Sequence, residues 1–279
     1  MRGNAIDNRS IALQRGLEFD VLMRSRSSAF DVTASTFESY RVLPQGVPEA
    51  IRTSIWSVAG LSGPARVLDI GAGTGRVGRA FLDAGDSYVG LDASDAMLRE
   101  FFTQFPRATL VHADGTNLPF AEDSFDVVLL MQVLSGAEYY CGILDEACRV
   151  VRPGGCIVVG QTVSPESGID TQLKRRLKVI LDEMEVKADR PEERRDRGLA
   201  RLRSHAKQSA HRVAASWTIQ VAVEGFFQRH RTGARFAKLP STVQEQALTR
   251  LREWANGCFG SLGAASSETR NFELDIFEF

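Results

Sequence analysis

Short runs of apolar, β-branched residues alternate with longer amphipathic stretches from about Ala65 onward. This alternation is typical of βαβ units, in which parallel strands are joined by helices. The predicted strands are 66–70, 87–91, 109–112, 125–130 and 156–161, and the predicted helices between them are 75–84, 95–104 and 138–150. The pattern therefore predicts an α/β fold with a mostly parallel sheet flanked by helices.

The residues at the junctions support these boundaries. Ser94 is a good N-cap for the second helix, because its hydroxyl can accept from the first free backbone N–H groups. Pro106 follows the end of that helix, and Arg-Pro-Gly-Gly at 152–155 predicts a turn into the last parallel strand. Asp126, just inside a strand, is expected to fix a neighbouring turn rather than to touch a ligand.

Longer segments flank this block. Residues 5–60 are predicted to form helices with a turn at 43–48. Residues 242–258 carry apolar side chains at spacings of four, four and three, which predicts an amphipathic helix facing a core. The ending, 272–279, alternates strictly and predicts a strand buried on one face. The chain thus divides into N-terminal helices and a lid (1–60), an α/β core (61–164), a helical insertion (165–260) and a terminal strand returning to the core sheet (261–279).

The insertion begins with a polar, helix-prone stretch, 171–212, that carries 13 Lys/Arg and 7 Asp/Glu. The excess of positive charge allows a surface for a partner. The acids are interleaved with the bases, as pairs on a helix surface are, so a solvated helix pair is the interpretation we favour.

Composition bears on the partners and on the cellular location that we expect for the protein. The 279 residues carry 34 basic and 35 acidic side chains, a net charge of −1 that gives no global attraction to nucleic acid or to an anionic membrane. No apolar run approaches the roughly 18 to 20 residues needed to span a bilayer, and the start lacks the apolar stretch of a secretory signal. We expect a cytoplasmic protein with neither a nucleic-acid nor a membrane partner; its oligomeric state is left open.

The four cysteines, at 141, 148, 156 and 258, show no CxxC spacing and are predicted to be isolated buried thiols. The four histidines form no HxxxH or HExxH pair. The sequence therefore predicts no metal site.

Residues 67–76, Val-Leu-Asp-Ile-Gly-Ala-Gly-Thr-Gly-Arg, run from a strand into a glycine-rich turn that opens a helix. Glycines suit a turn that needs positive φ and a close approach of backbone to ligand. A GxG motif alone also fits a dinucleotide site. Asp69 argues against a dinucleotide, because a carboxylate pointing into the mouth of the binding site would repel a pyrophosphate but attract an ammonium and a sulfonium. S-adenosylmethionine carries both cations.

This segment resembles motif I of class I S-adenosylmethionine-dependent methyltransferases, especially the small-molecule branch that includes ubiquinone-pathway and biotin-pathway enzymes. The resemblance continues through Tyr-Val-Gly-Leu-Asp-Ala-Ser-Asp-Ala-Met-Leu at 88–98, through 113–128 and through 144–155. Together these motifs cover roughly a third of the chain. The resemblance implies a Rossmann-like methyltransferase fold, S-adenosylmethionine as the cofactor, and methyl transfer by in-line displacement to a small-molecule acceptor.

The resemblance also implies roles for individual residues. Asp92 would accept both ribose hydroxyls, which suits an ionised carboxylate because it only accepts hydrogen bonds. Asp114 would accept from the adenine amino group while the Gly115 N–H meets a ring nitrogen. Met97 would pack on the adenine, although at this spacing it is also a plain core methionine. The full set of implied cofactor-binding residues is Arg41, Asp69, Gly71, Ala72, Gly73, Asp92, Ala93, Met97, Asp114, Gly115, Met131 and Gln132.

Residues 30–41 resemble the family's N-terminal FDxxAxxYxxxR lid, with Phe37 where a tyrosine is usual and Tyr40 nearby. Arg41 would pair with the carboxylate of the cofactor's methionine end, as planar guanidinium groups do. A lid that closes would exclude water from a reactive sulfonium.

Catalytic residues are the weakest part of the resemblance. The segment after the fourth strand lacks the histidine that many relatives carry there, which leaves Glu138, Tyr139 and Tyr140 as candidates; each is also a normal residue for a helix start. A dedicated base is optional when catalysis is mainly orientation of the acceptor near an activated methyl. Aromatic and arginine side chains in the insertion either line the acceptor pocket or form the insertion's own core; they are Trp217, Phe226, Phe227, Arg231, Arg235 and Phe236.

Two other functions remain to be compared with methyl transfer. An NAD(P)-linked oxidoreductase would explain the glycine loop, but Asp69 and the arginine at position 76, in place of a third glycine, argue against it. A non-catalytic S-adenosylmethionine-binding protein, docking through 171–212, would explain the missing histidine.

Overall fold

The computed structural model describes residues 42–186, 191–231, 236 and 239–279. The expected lid at 30–41, including Arg41, lies outside the described residues, as do the expected helices before residue 42. The elements in chain order are α1 (Val47–Ala59), β1 (Arg66–Ile70), α2 (Gly78–Asp83), β2 (Ser87–Asp92), α3 (Asp95–Gln104), β3 (Thr109–His112), β4 (Phe125–Met131), α4 (Tyr140–Val150), β5 (Val151–Val163), α5 (Ile169–Glu183), α6 (Pro191–His205), β6 (Gln208–Ala222), α7 (Val223–Arg231), α8 (Ser241–Phe259) and β7 (Ala265–Glu278).

The described strands form one sheet in the order β3-β2-β1-β4-β5-β7-β6. The first five are parallel, and β7 runs antiparallel to both β5 and β6. The chain order therefore reverses between β1 and β4. In open parallel sheets, ligands bind beyond the carboxyl ends of the strands at such a switch point.

Two apolar layers cover the two faces of the sheet, because alternate residues of each strand point to opposite sides. One layer joins strand residues such as Val67 and Leu129 to Ile51 and Ile55 of α1 and to helices α2 and α3. The other layer joins Leu68, and the strand residues that point to the same side of the sheet as Leu68, to helices α4 and α6. Both layers bury residues that sequence alternation predicted to face a core.

A third apolar cluster belongs to the C-terminal part of the chain. It joins α5, α7 and α8 and includes Leu173, Phe226, Phe227, Phe236 and Leu251. The interpretation of the insertion's aromatic residues as its own core is thus correct for these three phenylalanines. Trp217 instead packs, partly buried, against the layer that contains α1.

The insertion is less helical than the sequence predicted. Residues 208–212, expected in a polar helical stretch, begin the 15-residue strand β6 at the edge of the sheet. β5 pairs with β7 only as far as Val163, opposite Asn271. Residues 217–222 of β6 and 265–270 of β7 continue past that point. This two-stranded arm therefore extends beyond the carboxyl edge of the parallel strands.

Three local predictions also change. The turn predicted at 152–155 is a bulge within β5, where Gly154 has a φ of 73° and donates its N–H to Phe279 O at 2.7 Å. α2 begins at Gly78 rather than at Gly75, because Gly75 has a φ of 84° and cannot be helical. Cys156 is buried as expected, but Cys141 and Cys258 are exposed free thiols.

Asp126 has the structural role expected of it. It lies at the amino end of β4, accepts from the Arg66 N–H at 2.7 Å and pairs with Arg152 Nε at 2.5 Å. These contacts tie β1 and the β5 bulge to β4 on the side opposite the switch point.

Candidate functional site

The glycine loop follows β1 at the carboxyl edge of the sheet. Gly71, Gly73 and Gly75 have φ values of 78°, 56° and 84°, which L side chains rarely adopt. A Cβ at Gly75 would lie 2.4 Å from the ring of Phe101, and one at Gly71 would lie 2.6 Å from Val133. A Cβ at Gly73 would meet nothing within 4 Å. Two of the glycines thus allow close packing, and Gly73 faces open space.

Asp92 ties this loop to the end of β2. Its Oδ2 accepts from the Gly73 N–H at 2.9 Å and its Oδ1 accepts from the Ser94 N–H at 2.8 Å. Burial raises the pKa of Asp92, although these backbone donors oppose the shift. Each carboxylate oxygen has a second lone pair, so the group can still accept from a ligand. The expected placement of Asp92 at the tip of β2 is correct.

Asp69 is buried beneath the loop rather than open at its mouth. Only 2% of the residue is exposed, and its Oδ2 accepts from the Tyr88 hydroxyl at 2.8 Å. The other oxygen, Oδ1, is buried and has no hydrogen-bond partner among the described residues. Burial raises the pKa of Asp69 to about 7, the Tyr88 hydrogen bond lowers it, and the charge of Asp92 raises it again.

The burial of Asp69, which the sequence did not predict, follows from the sheet face on which it lies. Asp69 shares its sheet face with Val67, and that face is covered by α2 and α3. A buried carboxylate oxygen without a donor is costly, so it fits a ligand that brings a donor or a positive charge. The cationic groups of S-adenosylmethionine meet that requirement.

The end of β3 contributes an exposed carboxylate. Asp114 Oδ1 accepts from both the N–H and the hydroxyl of Thr116, each at 2.9 Å. Gly115 is buried, and a Cβ there would lie 3.1 Å from Ile70. His112 Nε2 lies 3.1 Å from Ala93 O, which links the ends of β2 and β3. Asp114, Gly115 and Ala93 are thus brought to the same edge as the glycine loop.

α3 starts next to Asp92. The Met97 N–H donates to the Ser94 hydroxyl at 3.3 Å, which confirms the predicted N-cap. Met97 itself is buried. Burial fits both a plain core methionine and a methionine that packs on adenine, so its contact with the cofactor stays a prediction.

Gln132 follows β4 with a φ of 62°, one of three positive φ values among the described non-glycine residues. Its N–H donates to Gly160 O at 2.8 Å and its amide donates to Thr162 Oγ1 at 3.1 Å. Gly160 also makes room for Met131, because a Cβ there would lie 2.3 Å from the Met131 sulfur. Unfavourable backbone held by several contacts is common at functional sites. Both residues lie beside the switch point, as expected.

The candidate catalytic residues lie between the carboxyl end of β4 and the first turn of α4, and that turn packs on the end of β3, because a Cβ at Gly142 would lie 3.2 Å from Thr116. Glu138 and Tyr139 are exposed, Tyr139 at 59%, and Tyr140 is the first residue of α4. No described contact joins them to the glycine loop or to the carboxylates. A helix start at this edge fits both a structural and a catalytic role, so the role of all three stays a prediction.

Sequence reasoning missed Tyr88 and His112. In β2, Tyr88, Gly90 and Asp92 share one face, and Gly90 pairs with Asp69 in the neighbouring strand. An acid on an inward-facing position requires a donor, and the alternation places Tyr88 next to it. The need of Asp69 for a hydrogen-bond donor was the sequence signal that could have identified Tyr88.

The loop, the three carboxylates and the strand order agree with the resemblance to Rossmann-like methyltransferases. Residues 68–159 match a family model described as a methyltransferase domain. A demethylmenaquinone methyltransferase of Renibacterium salmoninarum is 34% identical over 143 residues, which cover 51% of this chain and 60% of that protein. The chain thus spans rather more than half the length of this curated relative.

Solved structures give the same fold. The YcgJ protein of Bacillus subtilis has a TM-score of 0.53 at 20% identity and covers 82% of this chain and 98% of its own. A candidate methyltransferase of Bacillus halodurans has a TM-score of 0.52 at 16% identity, with coverages of 80% and 96%.

These findings confirm the predicted α/β Rossmann-like fold and the resemblance to class I S-adenosylmethionine-dependent methyltransferases. S-adenosylmethionine is the cofactor that this domain class implies, in agreement with the sequence prediction. Within the described residues, no group of three His, Cys, Asp or Glu could hold a metal ion, and no helix is long and apolar enough to cross a bilayer. The contacts of single residues with the cofactor stay predictions.

Proposed function

We propose that this protein transfers the methyl group of S-adenosylmethionine to a small-molecule acceptor by in-line displacement. The observation that carries the proposal is the hydrogen bond between the Asp92 carboxylate and the Gly73 N–H at the switch point of the sheet. This bond joins Asp92, which we propose as the ribose-binding acid, to the open Gly73 within the residues that match a methyltransferase domain.

The charges at this edge favour the cofactor over a dinucleotide. Asp69 lies near the end of β1, Asp92 ends β2 and Asp114 follows β3, and no described arginine or lysine pairs with any of them. A pyrophosphate would be repelled there, whereas an ammonium and a sulfonium are attracted. An NAD(P)-linked oxidoreductase is therefore disfavoured.

The residues of this chain would bind the cofactor and orient it toward the acceptor. Asp92 would hold the ribose, Asp114 and Gly115 would bind the adenine next to Met97, and Met131 and Gln132 would contact the methionine end. When bound, the cofactor supplies a methyl carbon activated by positive sulfur. The protein then has to exclude water and hold the acceptor atom about 3 Å from that carbon.

We infer that the acceptor is a quinone-type aromatic molecule. The curated relative named above acts, by its name, on demethylmenaquinone. The acceptor side would be formed by the arm (217–222 with 265–270) and the helices packed on it, since the arm extends beyond the same edge. We further propose that the protein works in the cytoplasm without a nucleic-acid partner, in keeping with its balanced charge.

The test is methyl transfer from isotope-labelled S-adenosylmethionine to reduced demethylmenaquinone, with the product identified by mass spectrometry. We expect labelled product and an equal amount of S-adenosylhomocysteine, both lost in Asp92→Ala. Cofactor binding without transfer to any of a panel of quinols, phenols and amines would instead support the non-catalytic S-adenosylmethionine-binding protein.

A further inference from the structure

Asp69 and Tyr88 form a closed pair beneath the glycine loop. The Tyr88 hydroxyl donates to Asp69 Oδ2 at 2.8 Å, and both side chains are buried. The fit around the hydroxyl is tight, because a Cβ at Gly78 would lie 2.2 Å from it. The ring of Tyr88 is held between Phe81 and Phe101, with centroid distances of 6.4 and 6.0 Å. The pair therefore has one fixed geometry.

One carboxylate oxygen of this pair receives no hydrogen bond. Asp69 Oδ1 is buried without a hydrogen-bond partner among the described residues. The titratable groups that act on Asp69 are Tyr88 and Asp92, both on β2, and neither is a cation. The carboxylates at the other edge of the sheet have arginine partners, as Asp126 has in Arg152. Among the described residues Asp69 thus has no positively charged partner, and a cationic ligand would supply one.

The substrate and product forms of the cofactor differ in that charge. S-adenosylmethionine carries a methyl group and a sulfonium, whereas S-adenosylhomocysteine has a neutral sulfur and is otherwise the same molecule. A buried anion interacts more strongly with the charged form, since the low dielectric screens the attraction little. An ionised Asp69 therefore favours S-adenosylmethionine, and a protonated Asp69 loses much of that preference.

We propose that Tyr88 is a positioning residue that keeps the Asp69 carboxylate oriented, so that its free oxygen raises the affinity for S-adenosylmethionine relative to S-adenosylhomocysteine. This inference rests on the proposed function. Once the methyl group has left, the sulfur is neutral and the anion beneath the loop attracts the ligand less strongly.

The proposal has a proton-linked consequence. The pKa of Asp69 is about 7, so at pH 6 roughly nine carboxyls in ten carry a proton. A bound sulfonium favours the ionised form, and binding then releases a proton at pH 6 but not at pH 8. S-adenosylhomocysteine should release fewer protons. Because it has the same amino and carboxyl groups, it also serves as the reference for protons that come from the ligand itself.

The experiment is calorimetric titration of the full chain with each ligand at pH 6, 7 and 8, in two buffers with different ionisation heats. We expect the ratio of the two dissociation constants to shift at least threefold toward S-adenosylmethionine between pH 6 and pH 8. Asp69→Asn, which is neutral at every pH, should show a flat ratio and lose the extra proton release at pH 6. Asp126→Asn, a paired carboxylate at the opposite edge, is the control and should behave like the parent.

Tyr88→Phe tests the positioning role itself. Losing one hydrogen bond to a charged group should move the pH at which the preference appears upward by about one unit or more. A structural role alone would lower stability without moving that pH. A parent ratio that does not change with pH, an unchanged midpoint in Tyr88→Phe, or a pH dependence that survives in Asp69→Asn would overturn the inference while leaving the proposed function intact. Failure of both ligands to bind at any pH would overturn the proposed function and this inference with it.

Discussion

At the amino edge of the parallel sheet, Asp86 and Asp126 are paired with arginine, whereas at the carboxyl edge Asp69, Asp92 and Asp114 have no arginine or lysine partner among the described residues. Asp86, just before β2, accepts from Arg52 Nε at 2.6 Å, and Asp126 in β4 pairs with Arg152 at 2.5 Å. Asp92 ends the strand that Asp86 precedes, yet its described donors are backbone N–H groups.

The difference separates carboxylates that hold the fold together from carboxylates kept for a ligand. An arginine neutralises its partner and leaves little for another cation, while a carboxylate held by backbone N–H groups stays a negative site. Asp69, with one hydroxyl donor and a free oxygen, is the extreme case. Substitutions at the two edges should therefore act on different quantities, stability at one and cofactor affinity at the other.

The largest loss of stability is expected for Asp86→Ala. It leaves Arg52 and the Ala65 N–H without their buried acceptor, so the free energy of unfolding should fall by about 3 kcal/mol. Denaturant titration measures this loss. Calorimetry of the folded variant should give the parental affinity for S-adenosylmethionine; a large loss of affinity would mean that the amino edge also serves the ligand.

Asp92→Ala should show the opposite behaviour. Two charge-assisted hydrogen bonds to the ribose would be lost, each worth about 1.5 to 3 kcal/mol, so cofactor affinity should fall by about a hundredfold or more. Asp92→Asn should be intermediate, because its amide keeps one acceptor oxygen. Parental affinity in Asp92→Ala would show that the ribose contact, and with it the placement of Asp114 and Met97, is wrong.

Asp69→Asn should gain stability relative to the parent as pH rises. The folded-state pKa of about 7 lies above the ordinary aspartate value of 3.8, so the stabilising contribution of the carboxyl is complete at low pH and is lost as pH rises toward 7. Between pH 5 and pH 8 the difference in unfolding free energy should widen by about 3 kcal/mol in favour of the variant. Melting of the ligand-free proteins across this range checks it, and parallel pH curves would contradict it.

The smallest effect is expected for Asp126→Asn, with the reverse sign. Partial burial opposes the shift, but the hydrogen bonds from Arg152 and Arg66 lower the pKa of Asp126. Its contribution is therefore present above the unfolded pKa and is lost as pH falls through the folded value. The variant should be less stable than the parent at pH 7 by about 1 kcal/mol, and the gap should close in acid. A gap that grows as pH falls would refute this account of the pair.

The sequence predicted the strands β1 and β3 and the helix α3 with their observed ends, because each has a strong pattern and a capping residue or proline beside it. It missed β6, although apolar and polar residues alternate from Ala215 to Val221, because the basic residues before it favoured a helix. An edge strand keeps one side exposed and lacks the continuous apolar run of a central strand.

The site was predictable in outline but not in detail. Asp92, the glycine loop and Gln132 could be placed because strand ends meet at one edge of a parallel sheet. Strand alternation places Asp69 and Tyr88 on one face of the sheet, but their contact also depends on the register between β1 and β2 and on the space left by Gly78, which periodicity along the chain does not encode.

The central claim is that the carboxyl edge binds S-adenosylmethionine, and amide hydrogen exchange with and without the ligand tests it most directly. Binding should slow exchange at the glycine loop, at residues 92–97 and at 113–116, and should leave the peptides around Asp86 and Asp126 changed least. Protection confined to the amino edge or to the arm, or no protection under saturating S-adenosylmethionine, would contradict the account.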